Sequence, residues 1–544
     1  MAVFVASAGR RSPARLLLAP WIRRETIDVD TYELFQRGSE LLAAGHAHQA
    51  VIALERARDA APGHGSVREA LGRAYYGAGR TAAAEAEFSE ALEIDPSNDY
   101  AHFGLGLCLA RGGERARAIG HLRLAVVMRP GVDTYREALD RVERQRARDD
   151  RGGAGGPEGR ALAAAFRGVV FDLDGVVYLG DEAIAAAPAA LDQIRGLGVK
   201  VAFVTNNSYR PPDLVAEKLN RLGVKAADGQ VLTSAQAAVR LLGGRRGLDG
   251  RKVMVLGGPG LRQALEAAGA RVVDGTAWRE AEVVAVGFDP ELTYARVRDA
   301  TLAIRSGARF VGSNPDTTLP TPEGIWPGAG ATLALLQAST GVRPEVAGKP
   351  ERALLEEAAA AIGPGPYLMV GDRADTDLDG AHRLGWSTAL VLSGVTGLAD
   401  LPDLTTAPDH VLADVGGLLD PPGPVVRSAT TAELAAAAEL LGATGGGERR
   451  WLVAVDAGQV VGAAALRPAG TLGLLDGPVV QEAWRGRLVG ARLVVAACVE
   501  GRAAGLPAVA ADAAAEPFLT RLGFTPAPAG AEASAAPRLL VREL

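Results

Sequence analysis

Val169, Val170 and Phe171 form an apolar run that ends abruptly in Asp172-Leu173-Asp174-Gly175. β-favouring residues followed by Asp and Gly read as a buried strand entering a loop. Residues two apart on a strand share a face, so Asp172 and Asp174 converge just past its C-terminal end. Open α/β sheets bind ligands there. A lone acid pair beside a glycine also suits a solvated turn, so the motif needs support from the rest of the chain. It has that support. Lys200 to Val204 runs into Thr205-Asn206-Asn207-Ser208 after an alanine-rich helical stretch, which completes a βαβ unit. Tyr367 to Val370 runs into Gly371-Asp372, with Asp375 and Asp377 following, and Gly348-Lys349-Pro350 introduces a helix between these last two strands.

Spacing shows where this unit is interrupted. Asp174 and Thr205 are 31 residues apart, enough only for a crossover, whereas 144 residues separate Thr205 from Lys349. A second domain, a cap at about 240–322, is expected in that interval. Lys252–Leu256, Ala281–Val286 and Ala308–Val311 read as its strands. Its exit carries Asn314 and Asp316, which either line a seam between the two parts or form a capped turn around Pro315.

The order Asp-x-Asp, Thr-Asn-Asn, Lys, Gly-Asp resembles the four motifs of the haloacid dehalogenase superfamily, over about 161–420. The exit segment is similar to the capped branch that includes 4-nitrophenylphosphatase, phosphoglycolate phosphatase and the NagD-type nucleotidases. The resemblance implies a Rossmann-like core and a role for each motif residue. Asp172 would attack phosphorus, giving an aspartyl phosphate. Asp174 would protonate the leaving alcohol and then activate water. Lys349, the Thr205 hydroxyl and the Asn206 amide would hold the phosphoryl oxygens. A carboxylate repels a phosphate dianion, so a hard cation such as Mg2+ is expected, held by Asp172, the carbonyl of Asp174 and Asp372. Asp377 would support the metal or Lys349 from the outer shell, and Asp375 reads as a solvated loop acid. Possession of Asp174 favours phosphomonoester hydrolysis over dehalogenation.

Upstream, the chain repeats itself at a 34-residue period. Gly38, Gly72 and Gly106 are in step, as are Ala50, Ala84 and Ala118, Ala57, Ala91 and Ala125, and Pro62, Pro96 and Pro130. Small residues at these places let paired helices approach closely, and the proline ends the second helix. The pattern resembles the tetratricopeptide repeat over 31–144, although Arg68 stands where the motif opens with tryptophan. Such a stack either offers a groove to a protein partner or serves as a packing module. A leader at 1–30 and a Gly-, Pro- and charge-rich linker at 145–160 flank it.

After Pro421-Pro422-Gly423-Pro424, residues 425–544 resemble a GNAT acetyltransferase fold. In that family, main-chain amides of an Arg/Gln-x-x-Gly-x-Gly/Ala run hold a coenzyme A pyrophosphate. Here Arg485-Gly486-Arg487-Leu488-Val489-Gly490 has Leu488 at the first glycine's place, and Phe518-Leu519 lack the usual tyrosine. A side chain at 488 crowds the approach of pyrophosphate, so the module reads as degenerate.

Composition sets the outer limits. At 544 residues with 48% hydrophobic content the chain exceeds a single core, and its net charge of -6 gives no general reason to bind nucleic acid or membrane. Cys108 and Cys498 are isolated in apolar surroundings, which suits free thiols in a reducing cytoplasm. The expected architecture is multidomain: an all-α repeat stack, an α/β core with an inserted α/β cap, and an α+β GNAT-like domain. The expected activity is magnesium-dependent hydrolysis of a small phosphomonoester. Pairing with a degenerate GNAT-like tail resembles glycerol-3-phosphate phosphatases and puts glycerol 3-phosphate first, before 2-phosphoglycolate or a nucleotide monophosphate. A repeat-based scaffold and an acetyltransferase are the other readings, and a homodimer through the cap is open.

Overall fold

The computed structural model describes residues 29–44, 46–149, 161–243, 247–321, 324–443, 448–485, 487–512, 516–527 and 539–544. The expected leader, apart from its last two residues, and the linker from 150 onward lie outside the described residues, as does Gly486. The chain forms two compact units, Met1–Ala91 and Leu92–Leu544.

In the first unit the helices α1 (Val29–Ala43), α2 (Ala47–Ala60) and α3 (Gly65–Gly77) are followed by most of α4 (Thr81–Ile94). The repeated glycines are contact points. A Cβ on Gly38 would lie 2.4 Å from Leu54, and one on Gly72 would lie 2.8 Å from Phe88. Ala50, Ala57, Ala84 and Ala91 are fully buried. Each repeat therefore sets a glycine of its first helix against a bulky side chain of its second.

The second unit begins with the same arrangement. α5 (Asp99–Arg111), capped by the Asn98 side chain, precedes α6 (Arg115–Met128) and α7 (Asp133–Asp149), and Gly106 meets Leu122 as its counterparts do. α7 continues into the stretch read as linker from 145. Gln145 to Asp149 contain no helix breaker, and the glycines begin only at Gly152.

From Gly168 the strands are, in chain order, β1 (Gly168–Phe171), β2 (Tyr178–Leu179), β3 (Glu182–Ala183), β4 (Lys200–Thr205), β5 (Val231–Thr233), β6 (Lys252–Leu256), β7 (Arg271–Val273), β8 (Val283–Val286), β9 (Arg309–Gly312), β10 (Thr318–Thr321), β11 (Gly324–Pro327), β12 (Glu345–Val346), β13 (Tyr367–Gly371), β14 (Ser387–Val391) and β15 (His410–Leu412). They form two parallel sheets and two small hairpins. The first sheet has the order β15-β14-β13-β1-β4-β5. Chain direction across it reverses beside β1, whose neighbours are β4 and β13, and such a switch point opens a crevice at the strand C-termini. The second sheet has the order β12-β9-β8-β6-β7 and contains the three strands expected of the cap. It also takes in β12, beyond the expected boundary near 322, because Glu345 and Val346 pair with Val311 and Gly312 on the way back. Helices sandwiched between the sheets join both into one apolar cluster that includes Val170, Val204, Leu242, Leu261, Val255 and Ala285.

A seven-stranded sheet, β16-β17-β18-β19-β20-β22-β21, closes the chain: β16 (Val425–Ser428), β17 (Arg450–Asp456), β18 (Gln459–Ala469), β19 (Leu472–Val480), β20 (Ala508–Asp512), β21 (Thr525–Pro526) and β22 (Leu539–Glu543). It packs through the helix Val489–Ala503 onto the back of the first sheet, where Leu390, Leu401 and Val411 share a core with Leu452, Leu493 and Phe524. Leu488, at the start of that helix, adopts a left-handed conformation with φ 58°. That costs a side-chain-bearing residue roughly 1–2 kcal/mol. Among the described residues no helix is long and apolar enough to cross a membrane.

Candidate active site

Four parallel strands of the first sheet end at one crevice. Asp172 follows β1, Thr205 ends β4, Asp372 follows β13 and Ser393 to Val395 follow β14. The crevice, of about 550 Å3, is closed on its other side by Phe288, Asn314, Asp316 and Leu319. All six residues read as catalytic, phosphate-binding or metal-binding lie in this region. Lys349, which follows β12, is only 2% exposed and reaches it through its contact with Asp172.

Lys349 is the electrostatic centre. Its Nζ lies 2.6 Å from Asp172 Oδ1 and 2.6 Å from Asp377 Oδ1. Burial alone would lower its pKa, but the two carboxylates hold it above the usual lysine range. Carboxylates still outnumber cations. Asp172, Asp372 and Asp377 each offer an oxygen within 4.8 Å of the others. Burial, with repulsion from Asp377 and Asp172, pushes Asp372 up to about 7. Burial also raises Asp377 to about 6, against the pull of Lys349, and lifts Asp172 in the same direction. A packed set of carboxylate oxygens short of positive charge suits a hard divalent cation. The Asp174 carboxylate stands outside this group, open to the crevice, and its pKa is raised by the surrounding protein.

Backbone geometry holds the acids in place. Gly175, at φ 78°, and Gly394 press against Asp372 from two sides: a Cβ on either would sit 2.2 Å or 2.0 Å from its Oδ2. The Val395 amide donates to the same oxygen at 2.7 Å. Asp377 receives the Arg373 amide at 3.2 Å, which closes the turn after β13.

Asn206 ties the elements together. Its Oδ1 accepts from the Lys349 amide at 2.8 Å, and its Nδ2 donates to the Lys349 carbonyl at 3.0 Å and to Asp316 Oδ2 at 3.1 Å. Its own carbonyl accepts from Asn314 Nδ2 at 2.7 Å and from Ser234 Oγ at 2.6 Å. Asn314 and Asp316 therefore stand at the seam between the two sheets, beside a Ser208–Ser313 hydroxyl pair at 2.9 Å, and they also form the capped turn around Pro315, with the Asp316 amide donating to Asn314 Oδ1 at 3.1 Å. Thr205 is buried, and its Oγ1 accepts from the Asn207 amide at 3.1 Å. Asp375 pairs with Arg373 at the rim.

Sequence reasoning passed over several lining residues. Tyr178, Arg210 and Lys218 surround the open side of Asp174, and Lys218 Nζ sits 3.7 Å above the Tyr178 ring. The apolar run Ala389–Leu392 breaking into Ser393-Gly394 was a legible fourth strand end. Lys218 had no such signal, since a helical lysine usually faces solvent.

Comparison with known proteins agrees with this geometry. The chain matches the haloacid dehalogenase-like hydrolase family over 169–271, a HAD-hydrolase-like family over 346–418, tetratricopeptide repeats over 35–99 and 70–133, and the acetyltransferase (GNAT) family over 420–524. It is 35% identical over 252 residues to an acid sugar phosphatase from Staphylococcus haemolyticus, which spans 46% of this chain and 94% of the relative. The Staphylococcus aureus protein of the same name is 34% identical over 252 residues, or 95% of its length. Among solved structures, glycerol phosphate phosphatase Rv1692 from Mycobacterium tuberculosis, in complex with calcium, aligns at 31% identity and TM-score 0.51 over 67% of this chain and 98% of that one. A chain with these relatives and this crevice belongs to the haloacid dehalogenase-like hydrolases, as a phosphoric monoester hydrolase carrying tetratricopeptide repeats before its catalytic region and a GNAT-family domain after it.

Proposed function

We propose that the chain hydrolyses a small phosphomonoester with magnesium, glycerol 3-phosphate first among substrates. The observation that carries the mechanism is the placement of Lys349 between Asp172 and Asp377 beside a third acid, Asp372. An Asp172 oxygen attacks phosphorus as the ester oxygen departs, and Asp174 gives that oxygen its proton. Asp174 then takes a proton from water as the water attacks the aspartyl phosphate, which releases phosphate and restores Asp172. Lys349, the Thr205 hydroxyl and the Asn206 amide hold the phosphoryl oxygens while charge builds on them. Asp172, the carbonyl of Asp174 and Asp372 would hold the magnesium ion, with Asp377 fixing Lys349 from behind. When bound, the ion screens the nucleophile from the phosphate dianion and polarises the phosphoryl group.

Similarity to a glycerol phosphate phosphatase over two thirds of the chain supports glycerol 3-phosphate. A second reading, 2-phosphoglycolate, draws on Arg210 and Lys218, which line the leaving-group side and would favour a carboxylate there. Phosphate release is measured from glycerol 3-phosphate, 2-phosphoglycolate, a nucleotide monophosphate and an aryl phosphate, with and without magnesium, in wild type and Asp172→Asn. Magnesium-dependent turnover of glycerol 3-phosphate that is lost in the variant is expected. Absence of turnover of every ester by folded wild type overturns the reading.

A further inference from the structure

A second cavity, of about 110 Å3, lies away from the crevice where helix α6, the segment 410–421 and the start of the helix Val489–Ala503 meet. Its charges are unevenly matched. Of the arginines lining it, Arg123 is buried against Glu143 at 2.7 Å and Asp420 at 3.1 Å, Arg117 pairs with Glu114, and Arg485 pairs with Glu93. Arg492 is 6% exposed and has no carboxylate within ion-pair distance among the described residues. Its Nη atoms donate to the main-chain carbonyls of Pro424 and Asp409, and its buried Nε has no partner. Burial lowers its pKa to about 10 against the attraction of the Asp409 carboxylate, which lies beyond ion-pair distance. Arg487 is half-buried, stacked 5.0 Å from the Trp484 ring, and its pKa is likewise lowered by burial, which together with repulsion from Arg117 outweighs the attraction of Asp420 and Asp456.

The two histidines that line the cavity, His121 and His410, add no charge: burial lowers His410 to about 4, with repulsion from Arg492, and drives His121 well below its usual value, beside His102. His102 Nε2 donates to the Pro96 carbonyl at 2.9 Å, so its Nδ1 must accept from His121 Nδ1 at 2.9 Å, and both rings are neutral. A buried guanidinium without a counter-ion costs several kcal/mol. An anion seated between Arg487 and Arg492 offsets that cost. One water occupies about 30 Å3 of liquid, so the cavity takes a tetrahedral oxyanion but not a nucleoside.

We propose that this cavity binds a phosphoryl dianion, held by Arg487 and Arg492 where the helical repeats, the first sheet and the C-terminal sheet meet. The assignment is independent of the phosphatase reading, because no residue of the crevice takes part. Three elements contribute to the site, so occupancy stabilises their junction.

The test is thermal unfolding of the full chain, stripped of divalent metal so that the crevice carboxylates repel phosphate. Inorganic phosphate is titrated at constant ionic strength against chloride, with adenosine monophosphate in parallel. A saturable rise in Tm with phosphate, weakened at least tenfold in Arg487→Gln and in Arg492→Gln, is expected, with the phosphatase turnover of Arg487→Gln unchanged. Arg487→Gln removes a half-buried group, so it remains informative if Arg492→Gln fails to fold. The nucleotide is expected to bind more weakly than phosphate, because the cavity does not take its nucleoside, and binding as tight as that of phosphate or tighter overturns the free anion as the occupant. A rise matched by chloride, or one undiminished in Arg487→Gln, overturns the proposal.

Discussion

Gly175 and Asp372 touch so closely that a Cβ on the glycine would lie 2.2 Å from Asp372 Oδ2. The glycine also holds φ 78°, a conformation that side-chain-bearing residues rarely adopt. Gly175→Ala therefore pushes away the acid proposed to bind metal. We expect kcat to fall about a hundredfold, the scale of a 1 Å misplacement, with the circular dichroism spectrum retained. Wild-type kcat in a folded variant would show that the contact has no bearing on catalysis.

Lys349 compensates two buried carboxylates at once. Lys349→Met removes the cation and leaves both acids uncompensated. Loss of about 3–5 kcal/mol in urea unfolding is predicted, along with loss of turnover. A variant as stable as wild type would mean that the acids are protonated or screened by another group.

The three-carboxylate cluster gives a direct metal test. A cation that relieves repulsion among Asp172, Asp372 and Asp377 binds the folded chain alone, so it adds about 2.7 kcal/mol of stability at a hundred times Kd and raises Tm with concentration. Chelation reverses the rise. Asp372→Asn weakens it, and an undiminished rise in that variant would move the metal elsewhere.

The buried pair His102 and His121 predicts a stability loss in acid. Burial lowers His102 to about 4 and drives His121 well below its usual value, with His102 and nearby arginines repelling any charge there. Between the unfolded value near 6.5 and the folded one, the unfolded chain binds more protons. This contribution is thus complete above pH 6.5 and is lost as pH falls toward 4. For His102 alone the loss is roughly 3 kcal/mol. Urea midpoints from pH 7.5 to 5 check it: a slope unchanged in His102→Gln would remove the pair as its source.

How legible the molecule was in sequence depended on whether a feature was local. Strand ends such as Val170-Phe171-Asp172 and Met369-Val370-Gly371-Asp372 carry both periodicity and a break, and so mark the crevice directly. The repeat glycines were legible because Gly38, Gly72 and Gly106 face Leu54, Phe88 and Leu122 at one fixed offset. The short strand β12 was not, because two residues carry no pattern and only their pairing with Val311 and Gly312 defines them. Lys218 was missed for a related reason: its meeting with Tyr178 spans 40 residues and belongs to tertiary packing alone. Arg492 looked like an ordinary helical arginine, and only burial sets it apart.

The central claim is that Asp172 carries the phosphoryl group. Asp174→Asn retains Asp172 but cannot activate the water of the second step, so it should accumulate the intermediate with an activated aryl ester whose leaving group needs no proton. Rapid acid quenching of this variant with aryl phosphate and magnesium, followed by peptide mass spectrometry, is predicted to find the phosphoryl mass on the peptide containing Asp172, and none in Asp172→Asn. Turnover by wild type with no phosphopeptide in Asp174→Asn, or with label on any other residue, would contradict the account.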